Sequence, residues 1–171
     1  IKYIKKILTY IINIIIILNV GIITIEKGGR YMNDSFHYLS MANHMMIQKK
    51  LMEQLKDTGL TLGQPKVLDY LKDHDGASQK EIAAGCLIEA GSLTSILNRM
   101  EEKGLIERKM LNGNRRTFHI FMTESGKKNQ KLIEETFEKI EETALHNISE
   151  EEQKVFMEIF HKIYRNLAEI K

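Results

Sequence analysis

The sequence predicts a mainly α-helical protein carrying one small β-hairpin, and three observations predict it. One Pro, no Trp and an abundance of Glu, Lys, Leu, Ile and Met favour helices. Apolar residues return at i, i+3, i+4 and i+7, the spacing of one helix face. An Asn-Gly step, Asn112-Gly113, sits between two short strand-like segments, as a hairpin turn requires. At 171 residues the chain is long enough for one ordinary domain with its own core. Its single Cys excludes an intramolecular disulfide and a Cys-rich metal site, and suits a reducing cytoplasm.

Residues 1–31 are written in a different composition, and Met32 is the first methionine. Ile, Lys, Asn and Tyr, all encodable by A and T alone, make up 21 of these 31 residues. Lys27-Gly28-Gly29 can be encoded as a bacterial ribosome-binding sequence, and Arg30 and Tyr31 then space it from the Met32 codon. The segment is therefore read as untranslated upstream sequence carried in frame. The alternative is a membrane anchor: residues 7–25 hold no charge, a run just long enough to span a bilayer, and Lys2, Lys5 and Lys6 precede it. A cleaved signal peptide fits poorly, because no small-x-small site follows. The leader holds five basic residues and one acid, so without it the 25 basic and 23 acidic side chains fall to 20 and 22. The remainder has a net charge of −2, and any nucleic-acid signal must be local.

From Met32 onward the elements follow in order. A first helix is expected over residues 34–56, ended by the turn signal Thr58-Gly59. Thr61 and Gln64 form a capping box for a second helix reaching Asp73, with Val67, Leu68 and Leu71 inward and Pro65 in its first turn. Ser78 and Glu81 form another box, opening a short helix with Ile82 and Ala83 inward. Residues 85–90 turn the chain into a helix over 91–102, terminated at Lys103-Gly104. Strands are expected over 105–111 and 116–122, joined through Asn112-Gly113-Asn114. Thr123 caps a long helix over 124–146, and Ser149 with Glu152 caps the last one.

The helix over 91–102 carries the informative pattern. Leu93, Ile96, Leu97 and Met100 make its buried stripe. The opposite side holds Gly91, Ser95, Asn98 and Glu102, flanked by Ser92, Thr94 and Arg99. This face is small and hydrogen-bonding, as suits a helix that approaches another molecule closely. Two short helices, a tight turn and then a hairpin with Arg115 and Arg116 near its tip outline a winged helix-turn-helix. Ser and Thr at a helix N-terminus can bond base edges and phosphates, and Arg on a thin hairpin can reach the minor groove. Between positions 92 and 116 six basic residues (Arg99, Lys103, Arg108, Lys109, Arg115, Arg116) stand against three acids (Glu101, Glu102, Glu107). Positive charge is thus concentrated on the expected reading surface.

The stretches LTLGQPKVLDYL, SQKEIAAGCLIEAGSLTSILNRMEEKGLIER and NRRTFHIFMTESGKK closely resemble the multiple-antibiotic-resistance regulator (MarR) family of bacterial transcription factors. The resemblance covers most of 34–171 and is most specific over 60–126. It implies a single MarR-like domain over 32–171, with the winged helix-turn-helix at 60–122 and dimerisation helices at 34–57 and 124–171. It further implies a cytoplasmic homodimer that binds double-stranded DNA at a near-palindromic operator as a ligand-responsive repressor. By position, Ser92, Thr94, Ser95, Asn98 and Arg99 occupy the family's recognition helix, and Arg115 and Arg116 its wing. Family wings usually carry Asp before the paired Arg, whereas Asn114 stands here, which leaves open which Arg enters the groove. The residues themselves ask for a partner: the stripes at Met45, Leu51 and Leu55 and along 156–167 exceed what one small winged domain could cover.

Plainer roles stand beside these. Ser92, Thr94 and Ser95 could simply solvate a helix, Arg115 and Arg116 could be hairpin charges, and Arg99 could pair with Glu102. Cys86, in the turn of the helix pair, reads as core filling rather than a redox sensor. The histidines lack metal-ligand spacing, since His37 and His44 are seven apart and His119, His146 and His161 are scattered, so no metal or cofactor is expected. Met41, Met45, Met46 and Met52 suit a dimer core, or an adaptable pocket for the small phenolic or lipophilic effectors that the family favours. No phosphate loop, nucleophile elbow or acid–base pair supports an enzyme. Two rivals remain: a membrane-tethered helical interaction protein anchored by residues 7–25, and an activator or architectural binder with the same fold.

Overall fold

The computed structural model describes residues 35–111 and 117–169. The leader, the turn Asn112-Gly113-Asn114 and both Arg115 and Arg116 lie outside the described residues. Six α-helices and a small antiparallel sheet make up the described chain.

Helix α1 spans Phe36–Gln54. Ser35 begins it, accepting from the Tyr38 amide through its hydroxyl (3.4 Å) and from the Leu39 amide through its carbonyl (3.0 Å). A single 3-10 turn, Lys56–Thr58, follows. Helix α2 is Gln64–Asp73, and its start corrects the expected Thr61 cap. With Thr61 as the cap, the first helical bond would need an N–H from residue 65, and Pro65 has none. The helix therefore begins later, with Gly63 at the cap in a left-handed conformation (φ 89°) and Pro65 in the first turn. Only the reverse arm of the expected box survives: the Gln64 side chain accepts from the Thr61 amide at 3.0 Å.

Strand β1 (Ala77–Ser78) leads directly into helix α3 (Gln79–Gly85). Ser78 and Glu81 cap α3 reciprocally, as expected. Helix α4 is Ala90–Glu102, and Gly104 (φ 65°) reverses the chain after it. Strands β2 (Ile106–Met110) and β3 (Phe118–Met122) pair from Ile106↔Met122 to Met110↔Phe118. The sheet order is β1-β3-β2, so the expected hairpin has gained a third strand. A two-residue strand leaves no alternation to read. Its partner across the sheet (Ala77↔Ile120, Ser78↔His119) comes from more than 40 residues away. Helix α5 spans Glu124–Ala144 with Thr123 as its cap, and helix α6 spans Glu150–Ala168 behind the Ser149–Glu152 box.

One core holds the winged part together. Val67, Leu68 and Leu71 of α2, Ile82 of α3, Leu93, Leu97 and Met100 of α4, and Ile106 and Ile120 of the sheet are all almost fully buried. Leu51 and Leu55 belong to this core too, at 7% and 0% exposure, which corrects their assignment to a surface awaiting a partner. Met45, expected on the same stripe, is 64% exposed. Cys86 is core filling, its thiol against the Lys66 carbonyl at 3.7 Å, and burial pushes its pKa up.

Two glycines mark approaches too close for any side chain. A Cβ on Gly85 would lie 2.1 Å from the Tyr70 ring, so α3 can close onto α2 only with Gly there. A Cβ on Gly126 would lie 2.1 Å from the Leu105 carbonyl oxygen, where α5 starts against the chain entering β2.

Candidate nucleic-acid interface

Helix α4 is an amphipathic helix with a fully buried inner stripe. Leu93, Ile96, Leu97 and Met100 face the core, while Gly91, Ser92, Thr94, Ser95, Asn98 and Arg99 are all exposed. The helical period alone divides the two sets, so this part of the site was legible in the sequence. Its N-cap, Glu89, makes no side-chain cap bond, and no acid occupies its first turn. The free N–H groups and the positive end of the helix dipole there are open to an anionic partner.

The outward side chains are not equally free. Thr94 donates to the Ala90 carbonyl (2.9 Å) and accepts from the Gln79 amide nitrogen (2.5 Å). That bond ties α3 to α4 and leaves Thr94 a methyl group and one lone pair to present. Ser95 donates weakly to the Gly91 carbonyl at 3.4 Å. The Ser92 hydroxyl makes no hydrogen bond among the described residues. Arg99 donates from Nε to the Ser95 carbonyl at 3.2 Å. Among the described residues Arg99 has no acidic partner, so the alternative pairing with Glu102 is not made. An Arg that bonds its own preceding turn lies along the helix surface and keeps its terminal nitrogens available.

Two residues of this surface are not among the expected DNA-contacting ones, although Arg108 is counted in its local positive charge. Gln79 is one, at the first position of α3. Arg108 is the other: from β2 it bonds Glu101 through one terminal nitrogen and Asn98 Oδ1 through the other, the latter at 2.7 Å. A signal for it existed. Strand alternation from buried Ile106 puts Arg108 on the core-facing side, where a charge needs partners. Those partners, Asn98 and Glu101, are residues that period 3.6 places on the outer faces of α4.

Electrostatics around the helix pair is local. The Ser78 hydroxyl, then its backbone N–H, hold the Glu81 carboxyl below its usual range. Further back, Lys72 of α2 bonds Glu134 of α5; that hydrogen bond raises the lysine pKa and lowers that of the carboxylate. Between the two helices it is a solvent-facing tether.

A three-stranded sheet and a pair of short helices, the second with a small polar outer face, define a winged helix-turn-helix protein. Comparison with known proteins narrows that class. Residues 58–117 match the model of the MarR family. Over 115 residues the chain is 30% identical to the uncharacterized HTH-type transcriptional regulator YwoH of Bacillus subtilis, covering 67% of this chain and 83% of the relative. It is 26% identical over 128 residues to the HTH-type transcriptional regulator SarZ of Staphylococcus epidermidis, covering 75% of this chain and 85% of SarZ. The crystal structure of the S. aureus MepR–DNA complex superposes with a TM-score of 0.70 at 28% identity, over 80% of this chain and 99% of that one. The chain belongs to the MarR family, and is therefore a transcription regulator and not an enzyme.

Among the described residues, no helix is long and apolar enough to cross a membrane; residues 7–25 are not among them.

Proposed function

We propose that the chain is a cytoplasmic, sequence-specific repressor that binds a near-palindromic duplex as a homodimer. The observation that carries this reading is the outer face of α4, where Ser92, Ser95, Asn98 and Arg99 stand exposed over a fully buried stripe. A helix of this kind enters a major groove with its N-terminal half forward, so that hydroxyls and amides meet base edges and phosphates. The MepR structure, which contains DNA, supports the same use of the fold here.

Homodimerisation is supported by α6. None of its residues is buried, although Val155, Phe156, Ile159, Phe160 and Leu167 form a continuous apolar stripe. A second copy would cover that stripe and set two α4 helices one turn of DNA apart. In this reading one of Arg115 and Arg116 contacts the adjacent minor groove. A small phenolic or lipophilic effector then favours a spacing of the two α4 helices that no longer matches the operator, and so relieves repression.

Selection of duplexes from a randomised pool, followed by fluorescence anisotropy in a salt series, tests the reading. Enrichment of one near-palindromic motif, bound with a steep inverse dependence on salt, is the expected result. Removing Arg115 or Arg116 lowers the salt slope by roughly 0.9 for each phosphate that is no longer neutralised. Equal, weak binding of every sequence would overturn it.

A further inference from the structure

Arg108 of β2 reaches two side chains of α4 at once. A guanidinium only donates hydrogen bonds, so whichever end of the Asn98 carboxamide faces it must be the oxygen. Arg108 therefore settles the amide orientation: Asn98 Oδ1 is held at 2.7 Å, and the two N–H bonds of Nδ2 are directed away from the guanidinium. The guanidinium is itself held, because its other terminal nitrogen bonds Glu101 one turn further along α4. Arg108 has only 17% of its side chain exposed, against 41% for Glu101. It is thus a braced side chain beneath the surface of α4 and not a free cation upon it.

This bears on what Asn98 can read. A free Asn reads adenine bidentately, accepting from N6–H with its oxygen while donating to N7 with its nitrogen. An Asn whose oxygen is turned toward Arg108 has one of its two lone pairs taken and presents its N–H donors first on the side away from the guanidinium. We propose that Arg108 is a specificity-determining positioning residue, which turns the Asn98 oxygen toward itself, presents Nδ2 to the major groove as an N–H donor and so favours the two acceptors of guanine, O6 and N7, or thymine O4, over the mixed donor–acceptor edge of adenine. The inference rests on α4 being the DNA-reading helix. It adds a residue that touches no base.

The test compares the motifs that full-length wild type and variants select from a randomised duplex pool. Wild type enriches guanine or thymine at one position, and Asn98→Ala erases the preference at that position alone. Arg108→Met, which fills similar space without a donor, frees the oxygen, and the same position shifts toward adenine by about tenfold. Asn98→Asp keeps a partner for Arg108 but has no N–H to offer, and its preference turns to cytosine, whose N4 donates. If Arg108→Met does not fold, Arg108→Gln carries the test: its amide can accept as well as donate and no longer settles the Asn98 orientation, so the same position loses its preference over adenine, and an unchanged motif overturns the inference. The inference is overturned if Asn98→Ala weakens every sequence equally, which would mark a phosphate contact. It is equally overturned if Arg108→Met loses affinity uniformly with an unchanged motif, or if wild type already takes adenine there. Failure of wild type to select any motif would instead overturn DNA reading by α4, and this inference with it.

Discussion

Helices α4 and α6 are both amphipathic, yet the chain treats them in opposite ways. The apolar stripe of α4 is covered: Leu93, Leu97 and Met100 are fully buried, and only its small polar face meets solvent. The apolar stripe of α6 is bare, with Phe156 and Phe160 stacked on each other at 5.3 Å and about half exposed. A helix finished in this manner needs no further protein and can offer its outer face to a polar, charged surface. A helix left like α6 holds apolar area that no other described residue covers. The same 3.6-residue period thus leaves one helix with a polar outer face and the other with an apolar one.

The largest expected effect lies on α6. Phe156→Glu together with Phe160→Glu should convert a dimer to monomer in sedimentation equilibrium. Each Phe is about half exposed in the protomer, so its burial in a dimer is worth about half of the roughly 1.5–3 kcal/mol of full burial. Losing the four of a dimer weakens association by about two to four orders of magnitude. A variant that sediments as wild type would remove the basis of the comparison. Next comes the covered stripe of α4. Leu97→Ala should cost about 2–5 kcal/mol in denaturant unfolding, because the site is fully enclosed. The same truncation at Leu167, which is 55% exposed, should leave the unfolding of the isolated protomer nearly unchanged.

Smaller effects come from the helix starts. Ser149→Ala removes the cap of α6, whose hydroxyl accepts from the Glu152 amide, and should cost about 1 kcal/mol in the same assay. Smallest is a pH effect at the start of α3. The Glu81 carboxyl is held below its ordinary 4.5 by the Ser78 hydroxyl and backbone N–H. Its contribution to stability is present above 4.5 and is lost as pH falls through the lowered folded value. Glu81→Gln should therefore lower the melting temperature slightly near neutrality and flatten its decline below pH 4.5, so that the two proteins converge in acid. An identical acid limb in the two proteins would exclude Glu81 as its source.

Much of this molecule follows from local rules. The caps at Ser78, Thr123 and Ser149, the stop at Gly104 and the exposed face of α4 are each set by residues within a turn or two of one another. Hydrogen-bonding preference and helical period operate over that distance, so the sequence by itself determined the helices, their faces and the winged helix-turn-helix outline. The Thr61 cap failed for an equally local reason, since Pro65 has no N–H for the first helical bond.

What only the tertiary structure decided involves residues brought together from far apart. Strand β1 exists because β3 supplies its partners, and Ala77-Ser78 alone has too little length to declare itself. Leu51 and Leu55 are core and Met45 is not, although all three share one apolar pattern, because burial depends on which neighbours arrive. Asn98 and Arg108 are ten residues apart on different elements, and no periodicity reveals that one sets the other's amide. Pattern determines which side of a helix is polar. Which atoms of that side are left to meet another molecule depends on bonds made across the fold.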